Sequence, residues 1–400
     1  MTRRQALLGS AAAALTGAIA LSAERAGATT RQAFHGRHQG GISTRVQDYL
    51  FFAVFDMTSS SRQDLEDLLA QWTRAAALFV EGRPLVGDGD ANYPPADTGE
   101  AMDLPASNLT ITFGFGPSIF DHRFGLSTQR PERLIDLPVF PGDNLDPQRT
   151  GGDLCIQACA DDPIVAFHAV RNFARLAEGV ATLRWTQSGS GRTSTSSTSE
   201  TTPRNLLGFK DGTNNIDTTS QRAMRSSVWV EAGDGPSWMT GGTFMVARRI
   251  RTHLEEWSTL SLGTQESVIG RFRASGAPLS GHREHDPLRL DSYGSNGLPV
   301  IPASAHVRSA APQTNNGARI LRRGFNFMDG VDDRTGELDA GLMFICFQRD
   351  IATQFVTIQN TLSTQDALSN YVEHTGSGVF ACPPGVTRAG QSIGAGLFGR

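Results

Sequence analysis

Lysine is all but missing from this chain of 400 residues: Lys210 is the only one, and arginine supplies the other positive charge. No basic stripe is present and the formal net charge is −4, so nucleic-acid binding is not expected. The four cysteines, Cys155, Cys159, Cys346 and Cys382, lie in apolar runs and form no C-x-x-C. That spacing excludes a thiolate metal signature, and the missing C-x-x-C-H means that any prosthetic group is held without thioether links. Buried free thiols are the expectation. Calcium loops fail as well, because neither Asp88-Gly89-Asp90-Ala91-Asn92 nor the stretch from Asp211 has glycine at its sixth position. Beyond the N-terminus no segment is long and apolar enough to be a stable membrane span.

The N-terminus has what the rest lacks. Arg3 and Arg4 stand ahead of an apolar stretch, Ala6 to Ala23, too short and too rich in Ala and Gly to span a membrane comfortably. Ala26 and Ala28 fit an A-x-A cleavage site, which predicts a signal peptide over residues 1–28. Paired arginines predict the twin-arginine export machinery, with the general secretory route as the alternative. The protein is then exported, to the cell envelope or periplasm or outside the cell. Losing Arg3, Arg4, Arg25 and Glu24 moves the formal charge from −4 to −6. About 370 residues remain, which suggests two domains.

Periodicity divides those residues into two units of the same order. In the first, Asp48 to Met57 reads as a strand. Leu65, Leu68, Leu69, Trp72, Ala76 and Phe79 follow at helical spacing, behind a capping box from Ser60 to Gln63. Leu109 to Phe115 and Asp153 to Cys159 are strands. Asp162 caps a helix opening at Pro163, with Ile164, Phe167, Val170 and Ala174 on one face, and Thr182 to Gln187 is a closing strand. In the second, strand Thr243 to Ile250 is followed by one helix, His253 to Arg271. Strands Arg319 to Phe327 and Leu338 to Gln348 come next. Then a helix runs from Ile351 to Leu362 and on toward Tyr371, and the last strand is Gly378 to Cys382. Two β-α-β-β-α-β units predict an α+β protein of two ferredoxin-like domains, 46–203 and 204–390, with a ligand between them. Gln187 to Thr202 is almost devoid of apolar side chains and is expected to be a mobile surface loop. Val86–Gly99 and Gly276–Ser304, rich in Gly, Pro and Asp, read as further loops.

Candidate chemistry begins at Gly208-Phe209-Lys210-Asp211-Gly212, where a carboxylate stands beside glycines that let the backbone approach closely. His306 follows in Ala305-His306-Val307-Arg308, and Arg322 in Leu321-Arg322-Arg323-Gly324-Phe325. The chain has nine histidines, and nothing local to the residues singles out His306.

An acid, a histidine and a cation in this order resemble the haem pocket of the dye-decolourising peroxidases. The likeness extends over essentially the whole mature chain. It includes Phe34-His35-Gly36-Arg37-His38-Gln39-Gly40-Gly41-Ile42, Asp97-Thr98-Gly99-Glu100-Ala101, the run Leu109 to Pro117, Gly151-Gly152-Asp153-Leu154, Gly241-Gly242-Thr243-Phe244 and Phe344-Ile345-Cys346-Phe347-Gln348. The resemblance implies one non-covalent haem b per chain, with His306 as proximal iron ligand. It implies Asp211 and Arg322 on the distal, catalytic side. Gly212, Thr213, Asn214, Ala311, Pro312 and Gln313 match cofactor-lining segments. The partner of His306 is expected to be a carboxylate, with Asp366 as the candidate. Ser309 departs from the pattern, since relatives often carry Leu there. The activity implied is peroxidation, with hydrogen peroxide as oxidant and dyes, phenols or other bulky molecules as reductants. The alternative is a haem-handling protein of an iron-uptake system.

Overall fold

A computed structural model describes residues 31–85 and 91–399. The expected signal peptide lies outside the described residues, as do Asp88, Gly89 and Asp90. In the N-terminal half the order is β1 (Tyr49–Met57), α1 (Arg62–Phe79), β2 (Thr110–Phe115), β3 (Leu154–Ala160), α2 (Pro163–Leu176) and β4 (Ala181–Ser190). These strands lie in the order β4-β1-β3-β2, each antiparallel to its neighbour. A short α3 (Gln221–Ser227) leads to the C-terminal half: β5 (Thr243–Thr252), α4 (Leu254–Thr259), α5 (Leu262–Ile269), α6 (His306–Ser309), β6 (Leu321–Arg322), β7 (Phe325–Val331), β8 (Leu338–Gln348), α7 (Thr357–Gln365) and β9 (Val372–Cys382). Its strands run β9-β5-β8-β6, with β7 also on β8, so the ferredoxin-like order occurs twice.

The halves join at two seams. Phe115 of β2 pairs with Ala381 of β9. Beyond β4, Asn326 donates its N–H to the Gly191 carbonyl at 3.0 Å and Thr193 to that of Gly324 at 2.9 Å. The nine strands thus form one sheet, and a shared core joins its two halves, with Phe52, Val54 and Trp185 from one and Phe325, Met343 and Phe380 from the other. All four cysteines are buried free thiols, as expected.

Several local expectations shift. The α1 cap is Ser61, whose hydroxyl accepts from Asp64 N–H at 3.3 Å, one residue later than the predicted box. In α2, Asp162 and Pro163 open the helix as predicted, but the buried face is Val165, Ala169, Val170 and Phe173. Ile164 and Phe167 stay 45 % and 38 % exposed, because α2 turns Phe173 onto Trp72, whose Nε1–H donates to the Phe173 carbonyl at 2.9 Å. The single helix expected over His253 to Arg271 is two: Leu260 is extended and Ser261 caps α5 by accepting from Thr264 N–H. The strand over Arg319 to Phe327 is interrupted at Arg323-Gly324. A π-helical turn, Ile351–Val356, precedes α7, and the helix stops at Asp366 before a 3-10 turn, Ala367–Tyr371.

The largest correction concerns Gln187 to Thr202. β4 runs on to Ser190, and Thr193, Ser194, Thr195 and Ser196 are buried. Their hydroxyls replace the missing apolar contacts. Ser194 accepts from Gly324 N–H at 3.1 Å, Thr195 donates to the Gly212 carbonyl at 3.2 Å, and Ser196 donates to the Thr44 carbonyl at 3.2 Å. Polar side chains are buried at low cost when each finds a partner.

Candidate active site

The segment carrying Asp211 is a folded-back turn. Arg204 bridges Lys210, and Gly208 sits at φ +84, where an L side chain is strained. The Asp211 N–H is tied to the Pro203 carbonyl at 2.9 Å. Gly212 has φ +113, and a Cβ there would come within 3.0 Å of Thr195 N. Glycine is therefore required where this turn meets the buried hydroxyl strand.

Asp211 and Arg322 form one unit. Arg322 Nη1 donates to Asp211 Oδ1 at 2.6 Å, and Asn205 Nδ2 donates to Asp211 Oδ2 at 3.3 Å. The arginine is held from behind by Asn215, whose side chain accepts from the Arg322 N–H at 2.9 Å and donates to its carbonyl at 2.8 Å. That amide also donates to the Thr195 carbonyl at 2.9 Å, which ties arginine, turn and linker together.

His306 is the first residue of α6. Its Nδ1 lies 2.6 Å from Asp366 Oδ2, while Asp366 Oδ1 accepts from Leu368 N–H at 2.9 Å. A carboxylate only accepts, so the Nδ1 proton belongs to the imidazole and Nε2 carries the lone pair. Burial pulls the imidazole pKa down, the Asp366 charge overrides it, and the net shift is upward. The helix break at Asp366 is what frees this carboxylate to turn to His306.

Both groups open on one cavity of about 270 Å³. Asp211, Gly212, Thr213, Asn214, His306, Ala311, Pro312 and Arg322 line it, and so does Asp366. Gln313, expected among them, is exposed and outside the lining. The wall runs from Thr193 and Ser194, which lead in from β4, through β5 and β8 to His374 on β9. Ser309, on the far side of α6 from solvent, is 1 % exposed and its hydroxyl has no partner among the described residues.

Sequence reasoning missed three contributors. Asn215 directly follows the Gly212-Thr213-Asn214 segment, but its contact with Arg322 spans the two halves of the site. Arg248 is 1 % exposed and forms an ion pair with Asp143, from a loop of the N-terminal half. His374 accepts from Arg248 Nε–H at 3.3 Å. Burial first, and the Arg248 charge second, lower its pKa to about 3. No local pattern marks any of them; period-two placement on β5 was the only available signal for Arg248, and the last strand, expected over Gly378 to Cys382, opens earlier, at Val372, and so takes in His374.

Comparison with known proteins accounts for this arrangement. Residues 39–190 match the family profile "Dyp-type peroxidase, N-terminal" and residues 202–387 match "Dyp-type peroxidase, C-terminal". Ferric DtpA from Streptomyces lividans superposes with a TM-score of 0.85 at 39 % identity, over 93 % of this chain and 98 % of that one. A DyP-type peroxidase from Streptomyces coelicolor does so at 0.84 and 40 %, over 92 % and 97 %. A curated protein named Deferrochelatase, from Escherichia coli strain K12, is 36 % identical over 92 % of this chain and 87 % of its own length. The chain belongs to the Dyp-type peroxidase family, an oxidoreductase family of haem enzymes.

Proposed function

We propose that this chain is an exported haem b peroxidase that oxidises dyes, phenols and other bulky reductants in one-electron steps at the expense of hydrogen peroxide. The observation that carries the reading is the Asp211–Arg322 pair, set on the same cavity as a carboxylate-clamped histidine. The cavity's residues fit a non-covalent haem: His306 Nε2 has no protein partner among the described residues, Asp366 fixes its ring, and Gly212 leaves close approach open. Bound haem supplies an iron that takes peroxide and stores two oxidising equivalents.

The protein's own groups do the rest. Asp211 would take a proton from hydrogen peroxide and return it to the departing oxygen, so that one carboxylate would serve as base and then acid. Arg322 offers fixed N–H donors and positive charge to the O–O bond as it gathers negative charge. Asn205 and Asn215 hold acid and arginine in register. Asp366 keeps electron density on the imidazole of His306. Gly212, Thr213, Asn214, Ala311 and Pro312 line the cavity and would form the wall for a bound macrocycle. Gln313 lies just past that wall.

Arg3 and Arg4 ahead of the apolar stretch support export by the twin-arginine route. The Deferrochelatase relatives support a second reading, iron release from haem, built on the same ligand. The test is stopped-flow peroxide reaction of the haem-loaded protein, wild type against Arg322→Leu, run beside an assay of iron freed from supplied haem. A lost transition-state donor costs about 3 kcal/mol, on the order of a hundredfold in the peroxide step, with haem content unchanged. Equal rates for the two proteins, together with iron release from the wild type, would overturn the peroxidase reading in favour of the second.

A further inference from the structure

The run Asp97-Thr98-Gly99-Glu100-Ala101 contributes no side chain to the cavity described above. It grips one turn of α2 instead. Glu100 forms an ion pair with Arg171, and Thr98 Oγ1 accepts from Asn172 Nδ2 at 2.7 Å. Asp97 Oδ1 lies 2.8 Å from Nε2 of His168, which is 6 % exposed. Two backbone donors converge on the same carboxylate: Gly99 N–H on Oδ1 and Leu85 N–H on Oδ2, each at 2.8 Å. Burial alone would raise the Asp97 pKa, but His168 and these N–H groups override it and hold the carboxyl below its ordinary value. An ionised carboxylate only accepts, so the imidazole proton sits on Nε2 and Nδ1 carries the lone pair. Among the described residues nothing donates to that Nδ1.

His168 lines a second cavity, of about 210 Å³. Its walls are apolar: Phe79 at the end of α1, Val165 of α2, and Ala101, Leu104 and Leu109 between them. Among the described residues it shares no lining with the first cavity, and none of its lining belongs to a strand. It therefore sits at the helix ends and not on the sheet face. The Phe79 ring meets the imidazole edge-on, with centroids 5.1 Å apart, which fixes the ring further. A dry apolar cavity of about 150 Å³ already takes a benzene ring, so this one has room for a ring and a substituent. One acceptor in an apolar wall selects a ligand with one donor, because an unmet buried lone pair is costly. An anion is opposed by Asp97 behind the imidazole and by Asp103 at the exposed mouth, while Arg83 there is paired with Glu81 at 3.1 Å. We infer that this cavity binds a small neutral phenol, with its ring against Phe79, Leu104 and Val165 and its hydroxyl donating to His168 Nδ1. The site needs neither His306 nor Asp211, so it stands apart from the peroxidase reading.

The test is calorimetric titration of the haem-loaded protein with p-cresol and with p-xylene, an isostere that lacks the hydroxyl. Wild type, His168→Phe and Ala101→Phe are compared. Phenylalanine at 168 keeps a ring and removes the acceptor, whereas phenylalanine at 101 fills the cavity and leaves the His168–Asp97 contact in place. In His168→Phe the preference for p-cresol over p-xylene should fall about fivefold, the worth of one neutral hydrogen bond. Taking the preference cancels the difference in apolar transfer between the two ligands. Ala101→Phe should bind one p-cresol fewer per chain than wild type, with its Soret band unchanged. Should His168→Phe fail to fold, Ala101→Phe decides alone. An unchanged p-cresol stoichiometry in Ala101→Phe would overturn the inference, and so would a wild-type preference in His168→Phe. Either result leaves the haem reading standing, which fails separately if wild type develops no Soret band with added haem.

Discussion

In the N-terminal half, the crossover from β1 to β2 contains one continuous helix, α1, and the return from β3 to β4 contains another, α2. Both lie flat on their sheet and seal it with Trp72, Phe113 and Phe173. In the C-terminal half the same crossover breaks at Leu260-Ser261, ends at Gly270 with φ +87, and runs on through the loop 270–305. Among the described residues no long helix covers that stretch of sheet, and the cavity occupies the space. The same strand order thus produces a packed sheet face in one half and a cavity in the other. The difference lies in connection chemistry: an uninterrupted apolar stripe in α1, against a serine cap, a left-handed glycine and a loop in the second crossover. Topology alone carries no function.

The sharpest way to break this comparison is to remove the group that only the C-terminal half possesses. His306→Ala should lose most bound haem, because Asp366 would then face a methyl group and the cavity's other imidazole, His374, is engaged by Arg248 and Gln359. The measurement is the haem-to-protein ratio after purification and after reconstitution. Wild-type haem content and spectrum in the variant would remove His306 from the ligand role.

The converse experiment attacks the sealed half. Trp72 is fully buried against Phe55, Phe113 and Phe173, so Trp72→Ala should cost about 3–5 kcal/mol of stability, as large aromatic truncations do. Haem affinity of the folded fraction should not change, since Trp72 is absent from the cavity wall. Denaturant midpoints and haem titration read the two effects separately. A parallel loss of haem affinity would show that the halves are energetically one unit and that the contrast drawn above is only geometric.

How much of this was readable in advance follows the range of each interaction. Strands β1, β3 and β8 and the Asp162-Pro163 helix start were legible because their signals are local: aromatic and aliphatic runs, a capping side chain and a proline at the first turn. The duplicated unit was legible as repeated order. The run Gln187 to Thr202 was misread because its burial depends on partners far along the chain, Gly324, Gly212 and Thr44, that no window of sequence contains. The break at Ser261 was missed because Leu254, Trp257 and Leu260 keep helical spacing right up to it. At the site, Asp211, His306 and Arg322 were found through the family resemblance, and physical periodicity would not have chosen His306 among nine histidines. Asn215, Arg248 and His374 were not found, since each acts through a contact between distant segments.

The smallest effect tests a second contrast, between two histidines, one in each half, that face opposite charges. His168 of α2 faces the Asp97 carboxylate at 2.8 Å, whereas His374 of β9 faces a cation, Arg248, at 3.3 Å. The other groups around His374 do not offset that cation. Asp143 is committed to Arg248, Glu373 accepts from Asn144, and Gln359 approaches Nε2 at 3.4 Å without charge. Burial and the Arg248 charge hold the His374 pKa at about 3, against 6.5 for the free group. The sign follows from proton counting. Between those two values the unfolded chain binds a proton at this position and the folded chain does not, so acidification favours unfolding. The contribution of neutral His374 is complete above 6.5 and is lost as pH falls toward 3. Its slope is at most about 1.4 kcal/mol per pH unit, the value for one proton. His374→Gln keeps a hydrogen-bonding side chain and removes the titration, so its stability should fall less steeply on acidification than that of wild type. Urea midpoints of the haem-free proteins between about pH 4 and 7 make the comparison. Parallel curves would mean that His374 is protonated in the folded state as readily as in the unfolded one, and that Arg248 does not govern it.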